Sequence, residues 1–196
     1  MKYAVMPMTD YENICNAVRE KSGKTDLLKS GDVSGEISAV GVGGDIDSLS
    51  GGTITEASTN LVNIRPYAFA SCKQLTTAKF PFATKIPDHC FNDDTNLKTI
   101  EMPNVTTIGY FSFNSCKNFE LFELPSGLID IKNYAFGFCT GLKSITFKST
   151  PTSIASSVFT NCTNLLTINV PWAEGEVANA PWGATNATIN YNYTGE

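Results

Sequence analysis

Five phenylalanines at near-constant spacing constrain this chain more than any other feature of its sequence. They lie 22, 22, 23 and 23 residues apart, at Phe69, Phe91, Phe113, Phe136 and Phe159. Each follows an isoleucine by five residues, and four are followed by a cysteine three residues later. Self-similarity at a period of roughly 20–50 residues is the sequence signature of a solenoid, in which each coil contacts mainly its neighbours. The chain is therefore predicted to be a repeat protein.

The repeat unit reads Ile-x4-Phe-x2-Cys-x2-Leu-x2-Ile-x-Leu-Pro, with five clear copies over residues 64–171. The alternation at the end of Leu-x2-Ile-x-Leu is typical of a short strand whose alternate side chains point inward. The proline that closes four of the five copies ends this strand and begins a turn. Because no single coil can bury its own apolar row, the coils are expected to cover one another and to stack their strands into a parallel sheet.

The segments IRPYAFASCKQL, IKNYAFGFCTGL and IASSVFTNCTNL resemble the BspA-like (type-5) leucine-rich repeat family, whose pattern is Ile-x3-Ala-Phe-x2-Cys-x2-Leu. IPDHCFNDDTNL and IGYFSFNSCKNF are weaker copies. The resemblance covers Ile64 to Pro171. It implies a leucine-rich-repeat solenoid, a right-handed superhelix with short parallel strands on its concave face, and no catalytic activity.

The repeat cysteines invite a metal or redox interpretation, but packing as reduced thiols is favoured. A column of thiols down a stack cannot pair completely, and free cysteine is among the most buried residue types. A disulfide between adjacent coils, such as Cys116 with Cys139, is the alternative interpretation, since the geometry does not exclude it. Cys90 stands in a position that other copies fill with small residues, and Asp94 replaces the cysteine of the second copy. Cys15, on a predicted N-terminal helix, is the candidate reactive thiol.

The sequence predicts no enzyme, no cofactor and no metal site. His89 is the only histidine, so catalysis by a Cys-His or Ser-His pair would require it. Cys90 is adjacent in sequence, but neighbours on an extended segment point opposite ways, and a surface position in a turn is favoured. Asp45 and Asp47 in GGDIDSLSGG have a calcium-like spacing without the further ligands of a calcium loop. No glycine cluster is followed by the GK[ST] of a phosphate loop.

Charge and hydropathy exclude two classes of partner. The formal net charge is −5 with scattered lysines and arginines, so no basic patch is expected to bind nucleic acid. No stretch approaches the roughly 18 apolar residues of a membrane span. The N-terminus, MKYAVMPMTDYENIC, lacks the pattern of a secretory signal.

The chain divides into three predicted segments. Residues 1–40 are interpreted as a helical attachment segment, with a first helix capped by Thr9 and Glu12. A second short helix is expected over residues 32–40. Residues 41–52 are a glycine-rich linker, and the solenoid occupies residues 53–196.

The two ends of the solenoid carry separate expectations. Thr53–Thr55 is expected to supply the first strand. Residues 172–196 are expected to form a cap, with ATINYNY as a further strand. Trp172 and Trp182 belong to this cap in the favoured interpretation, and an aromatic platform for carbohydrate is the alternative.

The stretch YENICNAVREKSGKTDLLKSGDVSGEI resembles an N-terminal module of structural proteins from bacteriophages of Gram-positive bacteria. This resemblance implies a virion-associated adhesion protein that contacts the host surface or, through residues 1–40, other virion proteins. The alternatives are a purely structural virion component and a bacterial cell-surface leucine-rich-repeat adhesin, on the cell or extracellular.

The candidate binding surface is the concave sheet, where strand residues that point away from the core form two columns. Their mostly neutral polar character suits a protein or a cell-surface glycan as partner, although hydroxyl side chains are also ordinary on strands. The candidate residues are Thr77, Thr99, Leu121, Ser144 and Thr167 in one column, and Lys79, Glu101, Glu123, Thr146 and Asn169 in the other.

Overall fold

The computed structural model describes residues 29–30, 36–38, 56–58 and 63–195. Within these ranges every regular element is a short strand and no helix occurs. Eight strands have three residues: β2 (Glu36–Ser38), β3 (Glu56–Ser58), β4 (Thr77–Lys79), β6 (Thr99–Glu101), β8 (Leu121–Glu123), β10 (Ser144–Thr146), β12 (Thr167–Asn169) and β13 (Thr188–Asn190). Five have two residues: β1 (Lys29–Ser30), β5 (Lys85–Ile86), β7 (Thr107–Ile108), β9 (Asp130–Ile131) and β11 (Ser153–Ile154).

The three-residue strands stack in parallel, as the repeat pattern predicts. Their central residues are directly paired from coil to coil, for example Ala78 with Ile100 and Ile145 with Ile168. In β4, β8 and β10 the central residue is buried and the residues on both sides are partly or fully exposed. The chain is therefore a parallel β-solenoid built from the repeat.

A second parallel ladder closes the other side of each coil. It joins β5, β7, β9 and β11 through the repeat isoleucines, with Ile86 opposite Ile108 and Ile131 opposite Ile154. The sequence pattern placed these isoleucines in the interior without assigning them to strands. Each is buried, because a two-residue strand directs one side chain inward and the other outward.

The N-terminal segment differs from its prediction. Residues 36–38 form a strand that pairs in parallel with Glu56–Ser58 and antiparallel with Lys29–Ser30. The second helix predicted over residues 32–40 is therefore wrong at this point. An isolated short helix is marginal, whereas the edge of β3 offers a row of backbone groups that a strand can pair with.

Several predicted segments lie outside the described residues. They are the first helix with Thr9 and Glu12, the linker over 41–52 with Asp45 and Asp47, and Thr53–Thr55 as the first strand. The strand that the structure describes at this place is Glu56–Ser58, immediately after the predicted one.

The interior is organised around the phenylalanine column that defines the repeat. The five rings, from Phe69 to Phe159, are at most 1% exposed. Successive rings lie 5.2–5.9 Å apart between centroids, and two of the four pairs lie within 6° of parallel while the other two are at 21° and 31°. Offset stacking of this kind adds about 0.5–1.5 kcal/mol per pair to the free energy gained by burying the rings. The column therefore holds each coil to the next.

The five cysteines in the described residues are free thiols and all are buried, in agreement with the packing interpretation. Three of them donate to carbonyl oxygens of the preceding coil: Cys116 to Phe91 at 3.2 Å, Cys139 to Phe113 at 3.0 Å and Cys162 to Phe136 at 2.9 Å. Burial raises the pKa of the Cys90, Cys116 and Cys139 thiols well above the ordinary value. Protonated, enclosed thiols are poor nucleophiles and poor metal ligands.

Both tryptophans cover the last coil. Trp172 is 3% and Trp182 0% exposed, and their rings cross at 74° with centroids 6.1 Å apart. The Trp182 indole N–H donates to the Ala178 carbonyl at 2.8 Å. The burial of both rings fits the cap interpretation and leaves neither ring a free face for a carbohydrate. The expected further strand is present as β13, paired with β12.

Candidate binding face and groove

The ten candidate residues are the first and third residues of β4, β6, β8, β10 and β12. The side of the sheet that they define is called the strand face. Register places Thr77 opposite Thr99, Leu121 opposite Ser144, and Ser144 opposite Thr167. The same register aligns the third residues of the strands into the second column. The structure thus shows the common placement of these residues, and a binding role for them stays a prediction.

Exposure varies across the strand face. Leu121 is 73% exposed, the highest value among the large apolar residues of the described chain. Asn169 departs from the expectation of a solvent-facing residue, because it is 8% exposed. Its side-chain amide donates to Thr146 Oγ1 at 3.1 Å, and its Oδ1 accepts from the Asn190 amide at 2.8 Å. The Asn169 side chain therefore links the neighbouring strands β10 and β13 by hydrogen bonds.

The charges on the strand face are paired. Lys79 Nζ lies 3.1 Å from Glu101 Oε1, and Lys148 Nζ lies 2.6 Å from Glu123 Oε2. Exposed pairs of this kind contribute only about 0–1 kcal/mol to stability. Their importance here is that they leave the face nearly neutral and polar around Leu121.

The sheet of three-residue strands is interrupted between β6 and β8. The strands β1, β2, β3, β4 and β6 form one sheet, and β8, β10, β12 and β13 form another. The ladder of two-residue strands continues across the same coils through β5, β7, β9 and β11. The coils are therefore separated on the strand face alone, where a groove of about 400 Å³ opens. It is lined by residues 98–103, residues 121–125 and Lys148.

We attribute the interruption to the aromatic residues of the third repeat. Phe119 and Phe122 stand where the preceding repeat has Leu97 and Ile100. Their rings meet at 4.7 Å, and Phe122 packs against Phe136 of the following coil at 5.0 Å. The Phe122–Phe136 contact joins β8 to the following coil, on the side away from β6.

A second feature that the sequence analysis missed is a stack of four rings in the turns. Tyr67, His89, Phe111 and Tyr134 lie two residues before successive repeat phenylalanines, which was the available signal. Adjacent rings are 4.5–5.0 Å apart and within 8° of parallel. All four residues have positive φ, between 54° and 62°. Stacking between coils offsets the cost of this backbone conformation for residues with a Cβ.

His89 lies in a turn, as expected, and is half-buried between Tyr67 and Phe111. Desolvation lowers the pKa of His89 below its ordinary value, and the charge of Asp88 partly opposes this. The neighbouring Cys90 is enclosed in the interior, so the two side chains lie on opposite sides of the backbone. Within the described residues, no group of three or more His, Cys, Asp or Glu side chains is placed to hold a metal ion.

A sequence model of the BspA type leucine rich repeat region matches residues 62–179 in six copies. The chain belongs to this family. The six copies include one more than the five clear repeats between residues 64 and 171. No curated protein matches the chain.

Three solved structures of leucine-rich proteins are similar in fold to this chain. A leucine-rich repeat protein from Bacteroides ovatus has a TM-score of 0.65 at 18% identity and covers 79% of this chain. A leucine rich cell surface protein from Faecalibacterium prausnitzii has a TM-score of 0.53 at 26% identity and covers 62%. A leucine rich repeat protein from T. pallidum has a TM-score of 0.52 at 20% identity and covers 85%.

The BspA-type chain spans less than half the length of the first two of these proteins, 42% and 31%, and 80% of the third. In the part of the chain that the structure describes, no helix is long and apolar enough to cross a membrane.

Proposed function

We propose that this BspA-type chain is a non-enzymatic binding module whose strand face takes a protein on the surface of a cell or particle. The observation that carries the proposal is Leu121, which is 73% exposed at the centre of an otherwise polar face. Leu121 lies beside the partly buried Ile100 and the Phe122 ring, and contiguous apolar groups rimmed by polar ones are typical of interaction sites. The paired charges and hydroxyl groups around Leu121 supply a polar rim of the kind found in protein interfaces.

A protein partner is favoured over a glycan because none of the ten residues of the strand face is aromatic. Both tryptophans are buried in the last coil. The strand face therefore offers no aromatic ring on which a sugar could stack. A surface location is supported by the fold relative from Faecalibacterium prausnitzii, which is described as a cell surface protein.

The narrower hypothesis of a bacteriophage virion protein rests on the resemblance of residues 11–37 to an N-terminal module of phage structural proteins. Most of this segment lies outside the described residues. Host adhesion by a virion, a purely structural virion role and a bacterial surface adhesin all stay predictions. Each is compatible with a protein-binding strand face.

The proposed function is tested by binding of the fluorescently labelled full chain to a panel of intact Gram-positive cells. Half of each sample is first treated with protease to remove surface proteins. The test variant combines Thr77→Arg with Thr167→Arg, which place bulk on the strand face away from the groove. The control is Ser153→Arg, on the exposed side of the two-residue ladder.

Binding that is lost after protease treatment and in the strand-face variant, but kept in the control, is the expected result. Binding that survives protease treatment identifies a glycan instead. No binding to any cell, or equal binding by all variants, overturns the proposal.

A further inference from the structure

We propose that the groove between β6 and β8 is a docking site for a peptide in extended conformation. The inference deepens the proposed binding role of the strand face and rests on it. The ligand would lie between the two strands and parallel to them, as an added strand where the sheet is interrupted. Strand addition of this kind derives its affinity from main-chain hydrogen bonds and its specificity from alternate side chains.

The backbone groups on the two walls of the groove provide the first argument. At intact junctions, the Lys98 and Thr99 amides donate to the Thr76 carbonyl at 2.9 and 3.3 Å, and the Phe80 amide donates to the Glu101 carbonyl at 2.8 Å. The Leu124 amide likewise donates to the Thr146 carbonyl at 2.9 Å. Coil after coil, these positions supply the hydrogen bonds that join neighbouring strands.

The equivalent groups at the groove are not joined to one another. By the same register, the Lys98 carbonyl and the Met102 amide face β8, and the Leu121 amide and the Glu123 carbonyl face β6. Among residues 63–195, which include both walls, no backbone hydrogen bond links them. Backbone donors and acceptors are obligatory hydrogen-bonding groups. An extended peptide carries donors and acceptors on both of its edges and can satisfy both walls at once.

The floor of the groove provides the second argument. In intact coils, the inward central residues of the strands, such as Ala78, Ile145 and Ile168, are 0% exposed. At the groove, Ile100 in the same column is only partly buried. Phe122, opposite it, is 7% exposed, and Leu121 stands at the rim. An apolar side chain from an inserted strand would close the core over Ile100, as a neighbouring coil does elsewhere.

The charge at the rim and the volume of the groove limit which ligands the groove could bind. Glu101 and Glu123 at the rim are already paired with Lys79 and Lys148, so neither sign dominates and an ionic ligand has no specific counter-charge. The volume of about 400 Å³ is within the range of roughly 300–1,000 Å³ of ligand sites. It accommodates a few residues of a strand with apolar side chains at alternate positions.

The probe is a displayed library of random heptapeptides, selected on the immobilised full chain. Selected peptides are resynthesised with a fluorophore, and their affinity is measured by polarisation. The test variant is Leu121→Asp at the rim, and the matched control is Leu166→Asp, since Leu166 is another exposed leucine, at 60%. We expect Leu121→Asp to weaken binding by at least about tenfold and Leu166→Asp to leave it unchanged.

A second measurement leaves the protein unaltered. Methylation of the central peptide nitrogen removes one main-chain donor and is expected to weaken binding by about tenfold or more. Hydrogen exchange followed by NMR is expected to show that the amides of Met102 and Leu121 become protected when the peptide binds. Both effects require main-chain pairing in the groove.

Failure to select any peptide overturns the inference. Equal affinity for Leu121→Asp and the wild-type chain, or full affinity of the N-methylated peptide, also overturns it. These results are separable from the proposed function. If cells bind through Thr77 and Thr167 and no peptide binds, the inference fails alone. If peptides bind the groove and no cell binds, the surface-binding function fails alone.

Discussion

Oδ1 of Asp94 accepts a hydrogen bond of 2.7 Å from the backbone amide of Cys72 in the preceding coil. Asp94 is 0% exposed, and Oδ2 has no hydrogen-bond partner within the described residues. Burial raises the pKa of Asp94 to about 8, and the hydrogen bond from Cys72 only partly opposes this. An acidic residue has thus replaced a buried thiol, and its carboxyl group is protonated at neutral pH.

Asp94→Asn is expected to remove a pH dependence of stability. The unfolded carboxyl ionises near 3.8, whereas the folded carboxyl stays protonated until about 8. Between these values the folded state binds more protons, so the free energy of unfolding falls as pH rises, by about 1.4 kcal/mol per pH unit. Asparagine keeps the acceptor for Cys72 and cannot ionise. Denaturant midpoints measured across this window should fall more steeply for the wild-type chain, and parallel curves would contradict the assignment.

Gly141→Ala is expected to destabilise the solenoid by about 1–3 kcal/mol. A Cβ at Gly141 would overlap the carbonyl oxygen of Lys117 in the preceding coil, and a backbone atom cannot rotate away. Gly127→Ala is the control, because nothing lies within 4 Å of a Cβ built there. Chemical denaturation of both variants checks the difference, and equal stability would show that the coils can separate at Lys117 without cost.

Trp182→Ala is expected to cost about 3–5 kcal/mol, because it removes a fully buried ring and opens the last coil. Trp182 packs against Trp172 and Phe147, with centroid distances of 6.1 and 5.9 Å. Leu166→Ala serves as the exposed control, with an expected change within about 0.5 kcal/mol. Thermal unfolding followed by tryptophan fluorescence and by circular dichroism measures both. A loss of less than about 1 kcal/mol in Trp182→Ala would argue against its role as a cap.

His89→Phe is expected to make the chain less sensitive to mild acid. The pKa of folded His89 is lowered by desolvation, so its stabilising contribution is complete above the unfolded value of 6.5 and is lost as pH falls through the folded value. Phenylalanine retains the stack between Tyr67 and Phe111 without titrating. The melting temperature of the wild-type chain should therefore drop below that of the variant on acidification. Asp88 is present in both chains, so its contribution is common to the two profiles. Identical pH profiles would contradict the prediction.

The repeat thiols are expected to resist alkylation in the folded chain. Cys72, Cys90, Cys116, Cys139 and Cys162 are all buried, which keeps a reagent from reaching them. Burial also raises the pKa of the Cys90, Cys116 and Cys139 thiols, whereas the hydrogen bond with Cys139 lowers the pKa of Cys162. In a Cys15→Ser variant, maleimide should label none of them under native conditions and all of them in denaturant, as counted by intact mass. Rapid native labelling would show that a coil opens locally. Comparison with the unmutated chain tests Cys15 as the reactive thiol.

The sequence by itself determined the coil and the direction of its main side chains. A period of 22–23 residues with Phe, Cys, Leu and Ile at set positions can bury its apolar row only by stacking. Strand alternation then places Thr77 and Lys79 on the outside once Ala78 is inside. The column of phenylalanines, the buried thiols and the strand face followed from these local rules.

Tertiary structure alone decided how closely the coils approach one another. The groove between β6 and β8 depends on Phe122 packing against Phe136, and the ring stack requires the turns of Tyr67 and His89 to lie in register. Likewise, residues 36–38 are a strand because β3 offers an edge to pair with. Each outcome depends on distances between residues 14 to 22 positions apart, which arise from the packing of the whole stack and not from local sequence.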